Sequence, residues 1–441
     1  MPSAALGAII VSATRRRRTQ LAKRIGDGFV ILTAAAAACR SRDTNYPYRP
    51  DSYFYYLTGF VEPQSALLLS VKAGRIAREI LLCRGRDRRT EQWNGERLGP
   101  LRARRQLQIE ETADIMYFDS LLSDVVSEHD HLYCLPGTDA ALDAKLITII
   151  SNRRAHNRDS TTPIQALCDV SLHLDAMRLI KDTEEIELLR KAAQISSDGH
   201  RAAMRAVRYS KNEMQVEAAL VAAFRSAGAH YAFEPIVASG KNACTLHYCA
   251  NNAPVRQRHL VLVDAGAEYC GYAGDVTRTF PASGKFTEAQ ADVYDIVLAA
   301  QKKALTAIKP GNTWSAIENT ATRTLAQGLI DLGLCKGTIK TVLKKSNYQR
   351  FYMHRIGHFL GLDVHDVGRH KNIAGKQEPL RAGMVVTVEP GLYIPDEPDI
   401  PAPLRGIGVR IEDDVLVTDN GKEVLSGAPK TRTDIEAWIH G

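Results

Sequence analysis

Two apolar runs of buried-strand length end on a carboxylate, and this pattern restricts the chain more than any other feature. Leu260-Val261-Leu262-Val263 stops at Asp264, and Met384-Val385-Val386-Thr387-Val388 stops at Glu389. A charge at the mouth of an apolar strand is costly unless it is paired or bound to metal. Asp275 opens a further strand, Val276 to Phe280, after the glycine-containing segment Ala265 to Gly274, which reads as a turn. A hairpin of this kind brings Asp264 and Asp275 side by side. Glu412 lies in Gly408-Val409-Arg410-Ile411-Glu412-Asp413, where period-two alternation puts Arg410 and Glu412 on one face.

If these strands adjoin, four carboxylates converge. Unit charges about 4 Å apart repel by roughly 4 kcal/mol at an effective dielectric of 20. Without countercharge the cluster would protonate or come apart. Two divalent cations balance it, so a dinuclear metal site is expected. Nearby, Met353 to Asp366 carries His354, His358 and His365. His354 and His358 have the spacing of a zinc-protease helix, but Arg355 stands where His-Glu-x-x-His needs its glutamate. The residues alone leave open which histidine, if any, joins the carboxylates.

With 441 residues the chain exceeds one ordinary core. A net charge of +7 does not by itself argue for nucleic acid. The run Arg15-Arg16-Arg17-Arg18 is expected on a solvated helix face. No apolar run approaches the roughly 20 residues of a membrane span. The apolar stretch Ala4 to Val11 precedes the arginines, the reverse of a secretory signal. Eight cysteines without a Cys-x-x-Cys pair are expected as reduced thiols, with Cys244 and Cys249 filling core. A soluble, cytoplasmic protein is expected.

Strand-length runs at Phe29 to Leu32, Ala66 to Leu69 and Ile80 to Leu82 indicate a small α/β domain. No Gly-x-Gly-x-x-Gly or Walker loop follows them, so no nucleotide site is expected. Polar residues from Ser151 to Pro163 mark a surface segment near a boundary. Asp182-x-x-Glu185 resembles a capping box opening an amphipathic helix through Val207. Further helices are expected from Asn212 to Ser226, from Thr287 toward Pro310, and from Thr313 to Leu332, with strands between and after them, the last from Val409 to Val417. Helix pair, strands, helix pair, strands suggests an α+β domain of two similar halves. The expected division is 1–175 and 176–441.

Several strings now carry a family resemblance. Leu260-Val-Leu-Val-Asp-Ala-Gly, Gly271-Tyr-Ala-Gly-Asp-Val-Thr-Arg-Thr-Phe, Gly357-His-Phe-Leu-Gly-Leu-Asp-Val-His-Asp-Val-Gly, Val388-Glu-Pro-Gly-Leu-Tyr and Arg410-Ile-Glu-Asp-Asp resemble the metal-site motifs of aminopeptidase P. Tyr46-Pro-Tyr-Arg-Pro-Asp-Ser-x-Phe-x-Tyr-Leu-Thr-Gly-Phe and, less strongly, Glu91-x-Trp93 extend the likeness into the N-terminal region. The resemblance implies a pita-bread catalytic domain behind a smaller α/β domain, two Mn²⁺ ions (Zn²⁺ or Co²⁺ as alternatives), and peptide substrates with proline second. It implies Asp264 on one metal, His358 and Glu389 on the other, and Asp275 and Glu412 bridging. It gives His247 and His365 as catalytic histidines, Arg410 as a further active-site residue, and His354 and Tyr393 at the substrate pocket. Arg355 departs from the family pattern, where a small residue is usual. A homodimer or homotetramer is implied, with Asp43 a candidate contact across subunits. Trp93 reads as packing unless a neighbouring subunit caps the site.

The chemistry that follows is hydrolysis by a hydroxide formed from a metal-bridging water. His365 would stabilise the oxyanion and Glu389 would pass the proton to the leaving proline nitrogen. Prolidase and methionine aminopeptidase share the ligands, and metal-free pita-bread proteins serve as binding modules. The intact ligand set argues against a binding module, and the size of the N-terminal region against methionine aminopeptidase. Prolidase is the main rival, because Arg405 and Arg410 offer a carboxylate clamp.

Overall fold

The computed structural model describes residues 4–126, 128–155, 163–372 and 374–440. The chain divides into two compact units, Met1–Met177 and Arg178–Gly441.

In the first unit, helix α1 (Ala4–Ile25) leads into β1 (Gly28–Thr33), followed by β2 (Ala66–Lys72), β3 (Arg75–Cys83), β4 (Glu111–Asp114), β5 (His131–Cys134) and β6 (Ala166–Asp169). These strands form one sheet in the order β4-β3-β2-β1-β5-β6. The β1/β2 and β2/β3 pairs are antiparallel and the outer pairs parallel. The three runs expected as buried strands occupy β1, β2 and β3, and they supply Phe29, Ile31, Leu68 and Leu82 to the unit's core.

Two expectations fail here. The arginine run is only half solvated: Arg15 and Arg16 are exposed, but Arg17 and Arg18 are buried. Arg18 Nε donates to Glu79 at 2.9 Å and its Nη1 to the Leu57 carbonyl, while Arg17 stacks over Tyr56. A buried guanidinium is tolerable when paired and hydrogen-bonded in this way. Trp93 is not a packing residue, being 84% exposed on a helix, Arg88–Asn94, that buries nothing. Asp43 is also exposed. Of the polar stretch from Ser151 to Pro163, residues 151–155 end a helix, and 156–162 lie outside the described residues.

In the second unit, α2 (Thr183–Ala206) starts at the expected capping box, with Asp182 and Glu185 each accepting from the other's backbone N–H. Then come α3 (Glu213–Ser226), β7 (Ile236–Ser239), β8 (Leu260–Ala265), β9 (Val276–Pro281), α4 (Glu288–Ala307) and α5 (Trp314–Asp331). A second capping box, Thr287 with Gln290, opens α4. Strands β10 (Val385–Val388), β11 (Gly391–Tyr393), β12 (Gly408–Arg410), β13 (Asp413–Thr418) and β14 (Gly421–Val424) follow. Each half thus has two helices and a three-stranded antiparallel sheet: β7-β8-β9 in the first and β10-β13-β14 in the second.

Two local differences from the sequence reading shape the site. Ala265 to Gly274 is more than a turn, since Ala267–Tyr269 and Tyr272–Ala273 pair as a small hairpin. Cys270 and Gly271 at its tip both have positive φ, 51° and 83°, which suits a two-residue hairpin turn. The expected strand from Val409 to Val417 is broken at Ile411 and Glu412. There the chain changes partner, with β12 pairing β11 and β13 pairing β10. At the break, Ile411 N–H donates to the Pro390 carbonyl and Glu412 N–H to that of Thr277.

Candidate active site

Asp264 is the penultimate residue of the fully buried strand β8, beside Thr277 of β9. Asp275 directly precedes β9, and its N–H donates to both oxygens of Asp414 at 3.1 and 3.2 Å. Glu389 follows β10, with its N–H bonded to the Ile356 carbonyl. Glu412 sits in the strand break, where its Oε2 accepts from the Thr277 hydroxyl at 2.6 Å. His358 is fixed by Thr387, whose Oγ1 accepts from the His358 N–H. The His358 Nδ1 is 3.0 Å from the Phe359 carbonyl, so Nδ1 carries the proton and Nε2 keeps its lone pair. That Nε2 is 3.4 Å from Asp275 Oδ2 and 3.8 Å from Glu389 Oε1. A histidine anchored through Nδ1 to a carbonyl is oriented to bind metal through Nε2.

Arg410 knits this cluster to its wall. Its Nη2 donates to Asp264 Oδ2 at 2.6 Å, Nη1 to the Tyr393 hydroxyl at 2.9 Å, and Nε to Thr277 Oγ1 at 3.2 Å. The Tyr393 hydroxyl is also 2.8 Å from His354 Nε2, and His354 Nδ1 donates to the Arg355 carbonyl. His354 Nδ1 lies 3.6 Å from Glu389 Oε2. His365 is exposed and meets the His358 ring edge-on at 4.4 Å between centroids. Together with the exposed His247, these groups line a cavity of about 770 Å³.

The protein alone leaves the cluster short of positive charge. Burial, then Asp264 and other carboxylates, push Asp275 well above the usual range. Burial and Asp275 do the same to Glu412. Burial raises Glu389 to about 7, with His358 and Arg410 opposing. Burial and Arg410 lower His354 to about 4, and burial with His358 and His247 lowers His365. Among the described residues, Asp264 Oδ1 and Asp275 Oδ1 are buried with no hydrogen-bond partner. Orphaned carboxylate oxygens and hard donors with one imidazole fit divalent cations. Ligand atoms of Asp275, His358 and Glu412 all lie within 4.8 Å of one another. Asp264 and Glu389 border the same cavity outside that trio.

Every expected site residue except Tyr393 lines this cavity, and Tyr393 joins it through His354 and Arg410. Cys249 does not fill core: it is exposed and lines the cavity. Cys244 is half-buried, with Sγ 3.3 Å from the Ile394 carbonyl. Sequence reasoning missed Thr277, Thr387 and Asp414, which hold Glu412, His358 and Asp275 in place. A threonine in a strand reads as β propensity, so only the acidic run Glu412-Asp413-Asp414 gave a signal.

Residues 187–419 match the metallopeptidase family M24, and residues 14–133 match the aminopeptidase P N-terminal domain. An Xaa-Pro aminopeptidase of Haemophilus influenzae is 41% identical over 96% of this chain and 95% of its own length. Among solved structures, the Pseudomonas aeruginosa aminopeptidase PepP superposes with a TM-score of 0.94 at 39% identity, covering 98% of both chains. Zinc-substituted Escherichia coli aminopeptidase P in complex with product gives 0.94 at 37% identity, again over 98% of both. The fold is the expected one, a pita-bread catalytic domain preceded by a smaller α/β domain. With a family match over more than half its length and a full-length relative at 41% identity, the chain belongs to metallopeptidase family M24.

Proposed function

We propose that this chain is an Xaa-Pro aminopeptidase that releases the first residue from peptides with proline in second place. The observation that carries the reading is the convergence of Asp275, His358 and Glu412 ligand atoms within 4.8 Å, bordering a cavity large enough for a peptide end. Asp264, Asp275, His358, Glu389 and Glu412 would hold two metal ions. Mn²⁺ is the proposed pair, and Zn²⁺ or Co²⁺ would also suit these donors. When bound, such ions supply Lewis acidity and lower the pKa of a water.

The chain's own residues do the rest. His365 donates a hydrogen bond to the scissile carbonyl oxygen as charge develops there. Glu389, at the edge of the carboxylate cluster beside His358, passes a proton to the departing proline nitrogen. His354 and Tyr393, locked together and to Arg410, form a rigid wall on the proline side. His247 is the second catalytic histidine. Residues 1–175 form the N-terminal domain and 176–441 the catalytic domain of a cytoplasmic homo-oligomer. No helix of the described residues is long and apolar enough to cross a membrane.

A dipeptidase needs a cation for the proline carboxylate, and neither arginine suspected of this is available. Arg405 directs Nε and Nη2 to the carbonyls of Ile400 and Pro398, and Arg410 is committed to Asp264 and Tyr393. Neither Arg405 nor Arg410 therefore supplies a carboxylate clamp, and the peptide-length preference decides between the aminopeptidase and prolidase. On one metal-loaded preparation, Xaa-Pro-Xaa peptides should be cut with kcat/KM well above Xaa-Pro dipeptides, and Xaa-Ala-Xaa poorly. A dipeptide preference would make the protein a prolidase.

A further inference from the structure

Arg355 is exposed and lines the active-site cavity. Unlike Arg410, it forms no ion pair with a carboxylate among the described residues. Its hydrogen-bond partner is the imidazole of His370, with Nη1 3.4 Å from Nδ1. That imidazole is held in turn, stacked on Trp314 at 4.5 Å and packed against Phe359 at 5.5 Å. Glu318, a nearby acid, turns its Oε2 to the Ile356 N–H at 3.2 Å. A guanidinium is thus steered by a packed ring at the wall of a peptide-sized cavity, where it feels the field of Glu318 but has no contact ion pair among the described residues.

Arg355 directly follows His354, whose ring bonds Tyr393 and approaches Glu389. If the aminopeptidase reading holds, this wall faces the leaving group, and chain beyond proline runs past it. Each further residue adds about 3.3–3.6 Å, so a carboxylate one or two residues beyond proline comes within reach of a long side chain. The planar fork of arginine matches a carboxylate with two parallel hydrogen bonds.

We propose that Arg355 is a specificity-determining residue that selects substrates bearing a carboxylate on the leaving-group side of the scissile bond. The carboxylate comes either from the free C-terminus of a tripeptide or from an acidic side chain after proline. This inference rests on the aminopeptidase reading and names a substrate class for it.

The test uses the full-length, metal-loaded enzyme and its Arg355→Lys and Arg355→Glu variants. The substrates are Ala-Pro-Ala as free acid and as amide, and the amides of Ala-Pro-Asp and Ala-Pro-Lys. Wild type should favour the free acid over its amide by about 3- to 10-fold, mainly in KM, as expected for a partly exposed charge-assisted contact. Arg355→Lys should keep part of that preference, and Arg355→Glu should reverse it in favour of Ala-Pro-Lys amide. Preference for Ala-Pro-Ala acid alone identifies the C-terminus as the source, and an equal preference for Ala-Pro-Asp amide identifies the side chain. If the acid-to-amide ratio is the same in wild type and Arg355→Glu, Arg355 selects nothing, while cleavage of all four peptides leaves the aminopeptidase standing. If wild type cleaves none of them, the aminopeptidase reading falls and this inference with it.

Discussion

Arg410 Nη2 lies 2.6 Å from Asp264 Oδ2, while the other oxygen of that carboxylate is buried without a hydrogen-bond partner. One oxygen is therefore held by the protein and the other is left for a cation. The same guanidinium reaches Thr277 and Tyr393, so its three nitrogens serve three different groups. Arg410→Ala should destabilise the metal-free protein by about 3–5 kcal/mol, because it strands a buried charge. Arg410→Lys should recover little, since an ammonium cannot reproduce the fork. Chemical denaturation of the chelated proteins measures both, and full recovery by lysine would show that charge alone matters.

Metal removal should cost both activity and stability. Asp275 is pushed up by burial and by Asp264, and Glu412 by burial and by Asp275, so divalent ions that bind the folded state stabilise it by mass action. The melting temperature should rise with added metal, and activity should vanish on exhaustive chelation. Glu412→Gln should be far worse than Glu412→Asp, because a ligand to a divalent cation at this position needs the negative charge. Metal content measured alongside activity checks this, and full activity at negligible metal would end the metallopeptidase assignment of the site.

How much of this was legible follows from what each signal depends on. The apolar strands that carry Asp264 and lead into Glu389, and the caps at Asp182 and Thr287, are local patterns, and they appear where expected, except that the first strand continues one residue past Asp264 to Ala265. The break at Ile411 and Glu412 was hidden because apolar alternation runs straight through a change of strand partner. Arg18 could not be read as buried, since its partner Glu79 lies 61 residues away. Trp93 read as packing because hydrophobicity predicts burial, yet its short helix presents no buried face. Thr277 serves Arg410 and Glu412 at once, a role that exists only after the two sheets are assembled.

His365 offers a sharper test of mechanism. It touches the His358 ring and, among the described residues, makes no hydrogen bond or ion pair to the carboxylates of the ligand set, although it feels the charge of Asp264. Its replacement by alanine should lower kcat by roughly 10²–10³-fold, as for loss of one oxyanion donor, with metal content retained. Loss of metal in step with activity would instead make His365 a ligand or a fold residue.

Asp366 should set the acid stability of the loop that carries His358 and His365. Its carboxyl is buried, with Oδ1 2.5 Å from Arg178 Nη2 and Oδ2 2.8 Å from Lys181 Nζ. Gly361 packs so closely that a Cβ there would come within 2.1 Å of Asp366 Oδ2. Burial alone would raise the carboxyl, but Lys181 and Arg178 outweigh it and hold the pKa below 3.8. A carboxyl depressed in the folded state adds stability above its unfolded value of about 3.9, and loses it as pH falls through the folded value. Asp366→Asn should therefore cost about 3 kcal/mol at pH 7, chiefly because it leaves Lys181 facing a neutral amide, while Arg178 keeps its ion pair with Asp363. The gap between variant and wild type should narrow below pH 4, once wild-type Asp366 takes up its proton. Denaturant melts of both proteins across pH 3 to 7 read this out, and a gap that stays constant would place the cost in packing against Gly361 and not in the charge.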